Sequence, residues 1–147
     1  MTLKTLRMYQ APKCSFNRLG WHSDGFMTDD INYIWCDAYP TIFNDSDFNL
    51  TLDDSISLKE MEQQAKRKGN VFALENNLYR LDQYTIHKVQ NVIVGGMRTF
   101  VKISFSKDKY DLIGNSHNYE IDYKWEMKER KQERNIPQTI ITTNHIK

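Results

Sequence analysis

Three residues of the chain have side chains that can bind one metal ion together. Residues 20–26 read Gly-Trp-His-Ser-Asp-Gly-Phe, which places His22 and Asp24 two positions apart. In an extended strand, residues i and i+2 point to the same side, so we expect this imidazole and this carboxylate to lie side by side. His87, in a second predicted strand, offers a third ligand. Two imidazoles and one carboxylate can hold a divalent metal and leave other metal positions open.

A basic residue near the start of the next predicted strand can bind an anion. Arg98 lies near the start of the stretch 97–105, and a guanidinium can hold a carboxylate through two parallel hydrogen bonds. Strand alternation places Arg98, Phe100, Lys102 and Ser104 on one face. We favour Arg98 as the anion anchor, with Lys102 and Ser104 together as the alternative.

The order of these residues resembles that of the 2-oxoglutarate/Fe(II)-dependent dioxygenase superfamily. The shared features are His-x-Asp, then a distant histidine, then an arginine on the following strand, and the resemblance covers most of the chain, about residues 9–106. The small size and the many Asn, Lys and Ile residues are similar to short members carried by tailed bacteriophages. One departure is Phe100, two positions after Arg98, where some members have a basic-x-Ser pattern; here that pattern occurs at Lys102-Ile103-Ser104.

The resemblance implies a ligand set and a reaction. His22, Asp24 and His87 would bind Fe(II), and 2-oxoglutarate would bind the metal through its keto acid end, with its far carboxylate on Arg98. O2 would take the last metal position. The implied activity is hydroxylation of a substrate, coupled to oxidative decarboxylation of 2-oxoglutarate to succinate. Tyr33 is a candidate hydroxyl donor to the co-substrate because of its predicted position beside the His-x-Asp strand.

Each of these residues also has a purely structural interpretation. His22 and Asp24 can form a hydrogen-bonded surface pair, Arg98 can form an ordinary salt bridge, and Tyr33 can belong to the core. His117 is a rival third ligand, but it follows Arg98 and so breaks the order of the superfamily. His145 lies close to the C-terminus, where we expect it to be solvated.

Strand and turn signals predict a mainly β fold that positions these residues. We count about eight short strands, enough for a double-stranded β-helix, that is, a cupin-like jelly roll. A capping box at Ser57-Leu58-Lys59-Glu60 predicts a helix that has Ser57 as its N-cap and continues to Arg67, with Gly69 just after its end, before the core strands end. A second helix is predicted over residues 119–134, at the C-terminal end. The predicted strands are 3–9, 20–26, 31–36, 39–43, 71–74, 78–81, 85–89 and 97–105, with 20–26 and 31–36 forming a hairpin and 78–81 pairing back onto 71–74.

The bulk properties bound the location and the partners. The 147 residues are expected to form one domain, with 137–147 as a flexible tail. Twenty basic and 19 acidic residues give a net charge of +1, so no global attraction to nucleic acid or membrane is expected. The absence of a long apolar run and of a signal-like start predicts a cytoplasmic protein, in the host cytoplasm if it is phage-encoded. Cys14 and Cys36 are therefore expected to be free thiols.

The sequence leaves the substrate open. A macromolecule is expected, because a chain this short has little room for the insertions that would build a deep pocket; a free small molecule is the other substrate class that the sequence leaves open. A nucleobase or a protein side chain would both be compatible; Trp21 or Tyr79 could stack on a base, and the basic residues of 128–131 could contact phosphates. The alternative function is a catalytically silent jelly-roll module that binds a host or phage protein.

Overall fold

The longest strand among the described residues runs inside the larger sheet and carries the predicted anion-binding face. The computed structural model describes residues 1–11, 20–109, 111, 113 and 126–129. Over these residues the chain is mainly β, with two antiparallel sheets and one α-helix. The elements are β1 (Thr2–Gln10), β2 (Ile31–Cys36), β3 (Thr41–Asn44), α1 (Asp54–Gln64), β4 (Asn70–Phe72), β5 (Tyr79–Leu81), β6 (His87–Val89) and β7 (Gly96–Phe105), with a 3-10 turn at Arg67–Gly69.

The larger sheet has the strand order β1-β7-β2-β5, so β7 has a hydrogen-bonded neighbour on each side. Arg98 and Ser104 of β7 are buried, whereas Met97 and Phe105 are exposed. This alternation is the pattern of a strand with one face against the interior. The face that contains Arg98 and Ser104 is therefore the inner face of the larger sheet.

The smaller sheet has the order β4-β3-β6 and receives one further segment of the chain. His22 forms an isolated antiparallel bridge with His87, the first residue of β6. On the other side of β6, His87 is paired with Phe43 of β3. The predicted His87 strand thus lies between β3 and the segment that contains His22.

Helix α1 covers part of the smaller sheet and anchors the segment before His22. Its Met61 is almost fully buried and packs in a cluster with Trp21, Ile42 and Ile86. The carboxylate of Glu62 accepts a hydrogen bond from the backbone N–H of Trp21 at 2.9 Å. The helix therefore helps to set the path of the chain just ahead of the first predicted metal ligand.

The helix predicted in this region is present, but its N-terminal cap is different from the predicted one. Asp53 is the N-cap, and its carboxylate accepts hydrogen bonds from the N–H groups of Ser55 and Ile56. Ser57, the predicted cap, lies inside the helix, is buried, and donates its hydroxyl to the carbonyl of Asp54 at 3.2 Å. An acceptor one turn earlier satisfies the free N–H groups first, so the helix begins before the capping box.

Two predicted strand pairings are wrong. Residues 20–26 form a loop and turn with a single bridge at His22, and β2 pairs with β5 and β7, not with this segment. The predicted return of 78–81 onto 71–74 is also absent, because β4 joins the smaller sheet and β5 the larger one. Local turn signals favoured hairpins, whereas pairing between the sheets is decided by contacts that are distant in sequence.

The C-terminal helix is not seen. Residues 126–129 are not helical, and the backbone of Lys128 instead bonds to Asp111 and Ile113. The remainder of the predicted helix, His117, and the predicted tail 137–147 with His145 lie outside the described residues. Cys36 is a buried free thiol, and Cys14 is likewise outside the described part. No helix within the described residues is long and apolar enough to cross a membrane.

Candidate metal centre

Two histidines from distant parts of the chain are held opposite each other by backbone hydrogen bonds. The N–H of His22 donates to the carbonyl of His87 at 3.0 Å, and the N–H of His87 donates to the carbonyl of His22 at 2.8 Å. Residues that are directly opposite in an antiparallel pair direct their side chains to the same face. The two imidazole rings accordingly lie side by side, with centroids 4.6 Å apart, and both residues are buried.

Asp24 reaches the two imidazoles through a turn and not through strand alternation. Gly25 has a φ of 75°, and the carbonyl of Gly25 accepts from both the N–H and the hydroxyl of Thr28. A Cβ at position 25 would collide with Thr28 and Asp30, so the turn requires glycine for space as well as for its backbone angle. One ligand atom from each of His22, Asp24 and His87 lies within 4.8 Å of the others.

The hydrogen bonds of the rings decide which nitrogen can face a metal. Nδ1 of His22 lies 3.0 Å from the carbonyl oxygen of Gly20, and Nδ1 of His87 lies 2.8 Å from the carbonyl oxygen of Thr85. Because a carbonyl only accepts, each Nδ1 carries a proton, which leaves Nε2 as the nitrogen that can bind a metal. Metal-binding histidines are usually oriented in this way by an acceptor on the other nitrogen. In both cases the acceptor is the carbonyl two residues earlier in the chain.

The carboxylate of Asp24 is in an environment that keeps it ionised. Its Oδ2 lies 2.7 Å from Nζ of Lys102 and 3.6 Å from Nε2 of His87. Burial raises the pKa of Asp24, but the hydrogen bond with His87 and the charge of Lys102, together with the nearby imidazoles, outweigh burial and hold the pKa well below its usual range. An ionised carboxylate beside the Nε2 atoms of two imidazoles is a donor set for a divalent cation.

Arg98 is a buried cation without an anionic partner in the described part of the chain. Its side chain is on the inner face of β7, the residue is 4% exposed, and its Nε has no hydrogen-bond partner there. The guanidinium lies over the ring of Phe100, 4.9 Å from the ring centroid. A buried charge is normally paired, so this side chain needs an explanation.

The other predicted site residues have different positions. Lys102 is at the site, as the ion-pair partner of Asp24. Ser104 is two positions further along the same face, and its hydroxyl donates to Oδ1 of Asn32 at 2.6 Å. Tyr33 is not brought to the site: it pairs with Ile103 on the opposite face of the sheet and packs edge-on against Phe105.

One polar residue near Arg98 was not predicted from the sequence. Gln10, the last residue of β1, is 2% exposed, and its Oε1 has no partner among the residues that the structure describes. The alternation of β1 places Gln10 on one side of the strand, but only the register with β7 shows which residues it faces. No pattern in the sequence supplies that register.

Comparisons with protein-family models, with curated proteins and with solved structures found no match for this chain.

Proposed function

We propose that the protein is an Fe(II)- and 2-oxoglutarate-dependent dioxygenase that hydroxylates a macromolecular substrate. The observation that carries the proposal is Arg98, a buried guanidinium without an anionic partner in the described chain, on the same face of β7 as the lysine that contacts Asp24. Metal-binding triads alone are compatible with many roles. A triad together with a buried guanidinium that can bind a carboxylate fits a metal site whose co-substrate is a keto acid with a second carboxylate.

The fold proposed with this function is the double-stranded β-helix. Its support is the path of the chain: β1, β2, β5 and β7 belong to the larger sheet, whereas the segment with His22 and strands β3, β4 and β6 belong to the smaller one. In the larger sheet, β1 lies next to β7, and β2 lies next to β5. In the smaller sheet, the segment with His22 lies next to β6, and β3 lies next to β4. In each sheet, the segments that come first and last in the chain are therefore neighbours, and so are the two between them. This order arises when one long antiparallel ribbon is rolled into two facing sheets, as in a jelly roll.

The donor set fits Fe(II). His22 and His87 would each supply Nε2, and Asp24 would supply one carboxylate oxygen, which leaves metal positions open. When bound, the iron would supply the activation of O2 that no amino acid side chain provides. The chain itself contributes the fixed orientation of both rings, through the carbonyls of Gly20 and Thr85.

The contacts favour Arg98 over Lys102 as the anchor of the far carboxylate. Lys102 is already paired with Asp24, so its ammonium would orient the carboxylate ligand and balance its charge. Arg98 has no such partner in the described residues and lies four residues earlier on the same face, about 13 Å away along the strand. Its guanidinium contacts the ring of Phe100, the residue between Arg98 and Lys102 on this face.

The exposure of the metal ligands supports a large substrate. The side chain of Asp24 is 26% exposed, although both histidines are buried, so one side of the candidate site opens to the surface. A nucleobase or a protein side chain could enter from that side without the whole substrate being enclosed.

Calorimetry on anaerobic apoprotein tests the proposal. Mn(II) is titrated first as a redox-stable stand-in for Fe(II), followed by 2-oxoglutarate, with wild type, His22→Ala, Arg98→Gln and the exposed control Arg80→Gln. We expect His22→Ala to abolish metal binding. We expect Arg98→Gln to leave metal binding unchanged but to weaken 2-oxoglutarate about a hundredfold, through the loss of charge-assisted hydrogen bonds. Arg80→Gln should match wild type.

Turnover is the second readout. Wild-type protein with Fe(II), O2 and 2-oxoglutarate should form succinate, and His22→Ala should not. If wild type binds neither Mn(II) nor 2-oxoglutarate, the dioxygenase proposal is refuted, and the silent jelly-roll module becomes the better account.

A further inference from the structure

A second buried polar side chain without a partner in the described chain lies next to Arg98. Gln10 is opposite Gly96 in the β1–β7 register, and Met8 is opposite Arg98. Directly paired residues share a face, and alternate residues of a strand do too, so Gln10 and Arg98 both project from the inner face. They are diagonal neighbours on adjacent strands, at a spacing that long side chains can bridge.

Both side chains lack a partner that their chemistry requires. Oε1 of Gln10 and Nε of Arg98 are buried, and neither has a hydrogen-bond partner within the described ranges. Two such groups this close together, on neighbouring strands, are unusual, because buried polar atoms in folded proteins are nearly always hydrogen-bonded. A ligand that enters this region could satisfy both.

An aromatic side chain in a strained conformation lies against the start of β7. Tyr39 has a φ of 50°, rare for an aromatic residue, and its hydroxyl donates to the carbonyl of Val94 at 3.1 Å. The hydroxyl fills the space that a side chain at position 96 would occupy, so Gly96 is required there. Gln10, Arg98 and the end of Tyr39 therefore all lie around the start of β7.

Phe100 explains why a second hydrogen-bond donor is needed. It lies two residues after Arg98 on the same face, and it contacts the guanidinium through its ring. A phenyl ring cannot donate a hydrogen bond to a carboxylate, whereas the amide of Gln10 can. Rotation of that amide by half a turn about its last bond exchanges its oxygen and nitrogen, so that the NH2 group takes the position of the unpartnered oxygen.

We propose that Gln10 and Arg98 together bind the far carboxylate of 2-oxoglutarate, and that Gln10 is a specificity residue for this end of the co-substrate. The inference rests on the proposed function. Arg98 supplies the charge, and the amide of Gln10 supplies a directed hydrogen bond from the neighbouring strand.

The test compares two keto acids of equal chain length. 2-Oxoglutarate and 2-oxopentanoate share the keto acid end, but the second has a methyl group in place of the far carboxylate. Both are titrated into Mn(II)-loaded wild type, Gln10→Leu and Asn32→Leu. Asn32 is the matched control, because it is equally buried on β2, and its Nδ2 also lacks a partner in the described chain, but it lies opposite Ser104, away from Arg98.

We expect Gln10→Leu to raise the Kd for 2-oxoglutarate about tenfold or more and to change that for 2-oxopentanoate less than about twofold. Asn32→Leu should leave both values near wild type. Unchanged Mn(II) affinity reports an intact fold, and Gln10→Met, which keeps the side-chain length, replaces Gln10→Leu if that variant does not fold.

The outcomes separate this inference from the proposed function. If Gln10→Leu binds 2-oxoglutarate like wild type while Arg98→Gln is weakened, the role of Gln10 is refuted and the dioxygenase proposal stands. Equal weakening of both keto acids would mean that Gln10 acts through the structure and would overturn the inference. If wild type does not bind 2-oxoglutarate at all, both proposals fail.

Discussion

The apoprotein should become more stable when Arg98 is replaced by methionine. Arg98 is 4% exposed, and its Nε has no partner in the described chain, so the folded state carries the cost of a buried, unsatisfied cation. Methionine has a similar length, fills the same space and has no charge to desolvate. We therefore expect Arg98→Met to increase stability while it removes 2-oxoglutarate binding.

The size of the gain follows from three contributions. A buried polar group without a partner costs about 1–3 kcal/mol. The substitution also removes the contact of the guanidinium with Phe100, worth about 0.5–2 kcal/mol, and returns about 0.3–1.5 kcal/mol through contact of the sulfur with the same ring. At the midpoints of these ranges the net gain is about 1.5 kcal/mol, which for a chain of this size raises Tm by about 3–6 °C.

Urea unfolding of metal-free protein measures this change, with Arg80→Met as the control. Arg80 is exposed on β5, so its substitution should alter stability by less than about 0.5 kcal/mol. With Mn(II) present, 2-oxoglutarate at about one hundred times its Kd should add about 2.7 kcal/mol to wild type and nothing to Arg98→Met. A clear loss of apoprotein stability in Arg98→Met would refute the reasoning, because it would show that the guanidinium already has a stabilising partner.

Two further predictions concern charged groups. Lys102→Met should tighten Mn(II) binding in the absence of co-substrate by about tenfold, because it removes a positive charge beside the metal-binding carboxylate. Lys107→Met, at an exposed ion pair, is the control and should leave the calorimetric Mn(II) affinity unchanged. Weaker Mn(II) binding by Lys102→Met would contradict the argument. Hydrogen bonds from Ser55 and Ile56 lower the pKa of Asp53 in the folded protein. The stabilisation from this cap is therefore fully present above the pKa that Asp53 has in the unfolded chain, and it is lost as the pH falls through the lowered pKa of the folded state. The stability difference between wild type and Asp53→Ala in urea should therefore be present at pH 7 and shrink below about pH 4; a difference that does not change with pH would argue against the cap.

The residues of the candidate site could be chosen from the sequence because their chemistry is local. His22, Asp24, His87 and Arg98 were selected by residue type and order alone. The alternation within 97–105 predicted correctly that Arg98 and Ser104 share one buried face, since strand periodicity depends on the backbone and not on partners. The mainly β character and the presence of a helix after residue 53 also follow from local propensity and capping.

Only the tertiary structure decided how these residues meet. Asp24 reaches the histidines through a glycine-dependent turn and not along a strand, and Tyr33 lies on the far face of its sheet because of the register with β7. The pairing of Gln10 with the start of β7 and the ion pair between Lys102 and Asp24 join residues far apart in the chain. Register and pairing depend on the packing of whole sheets, and a shift by one residue would turn every side chain to the other face, so no local pattern determines them.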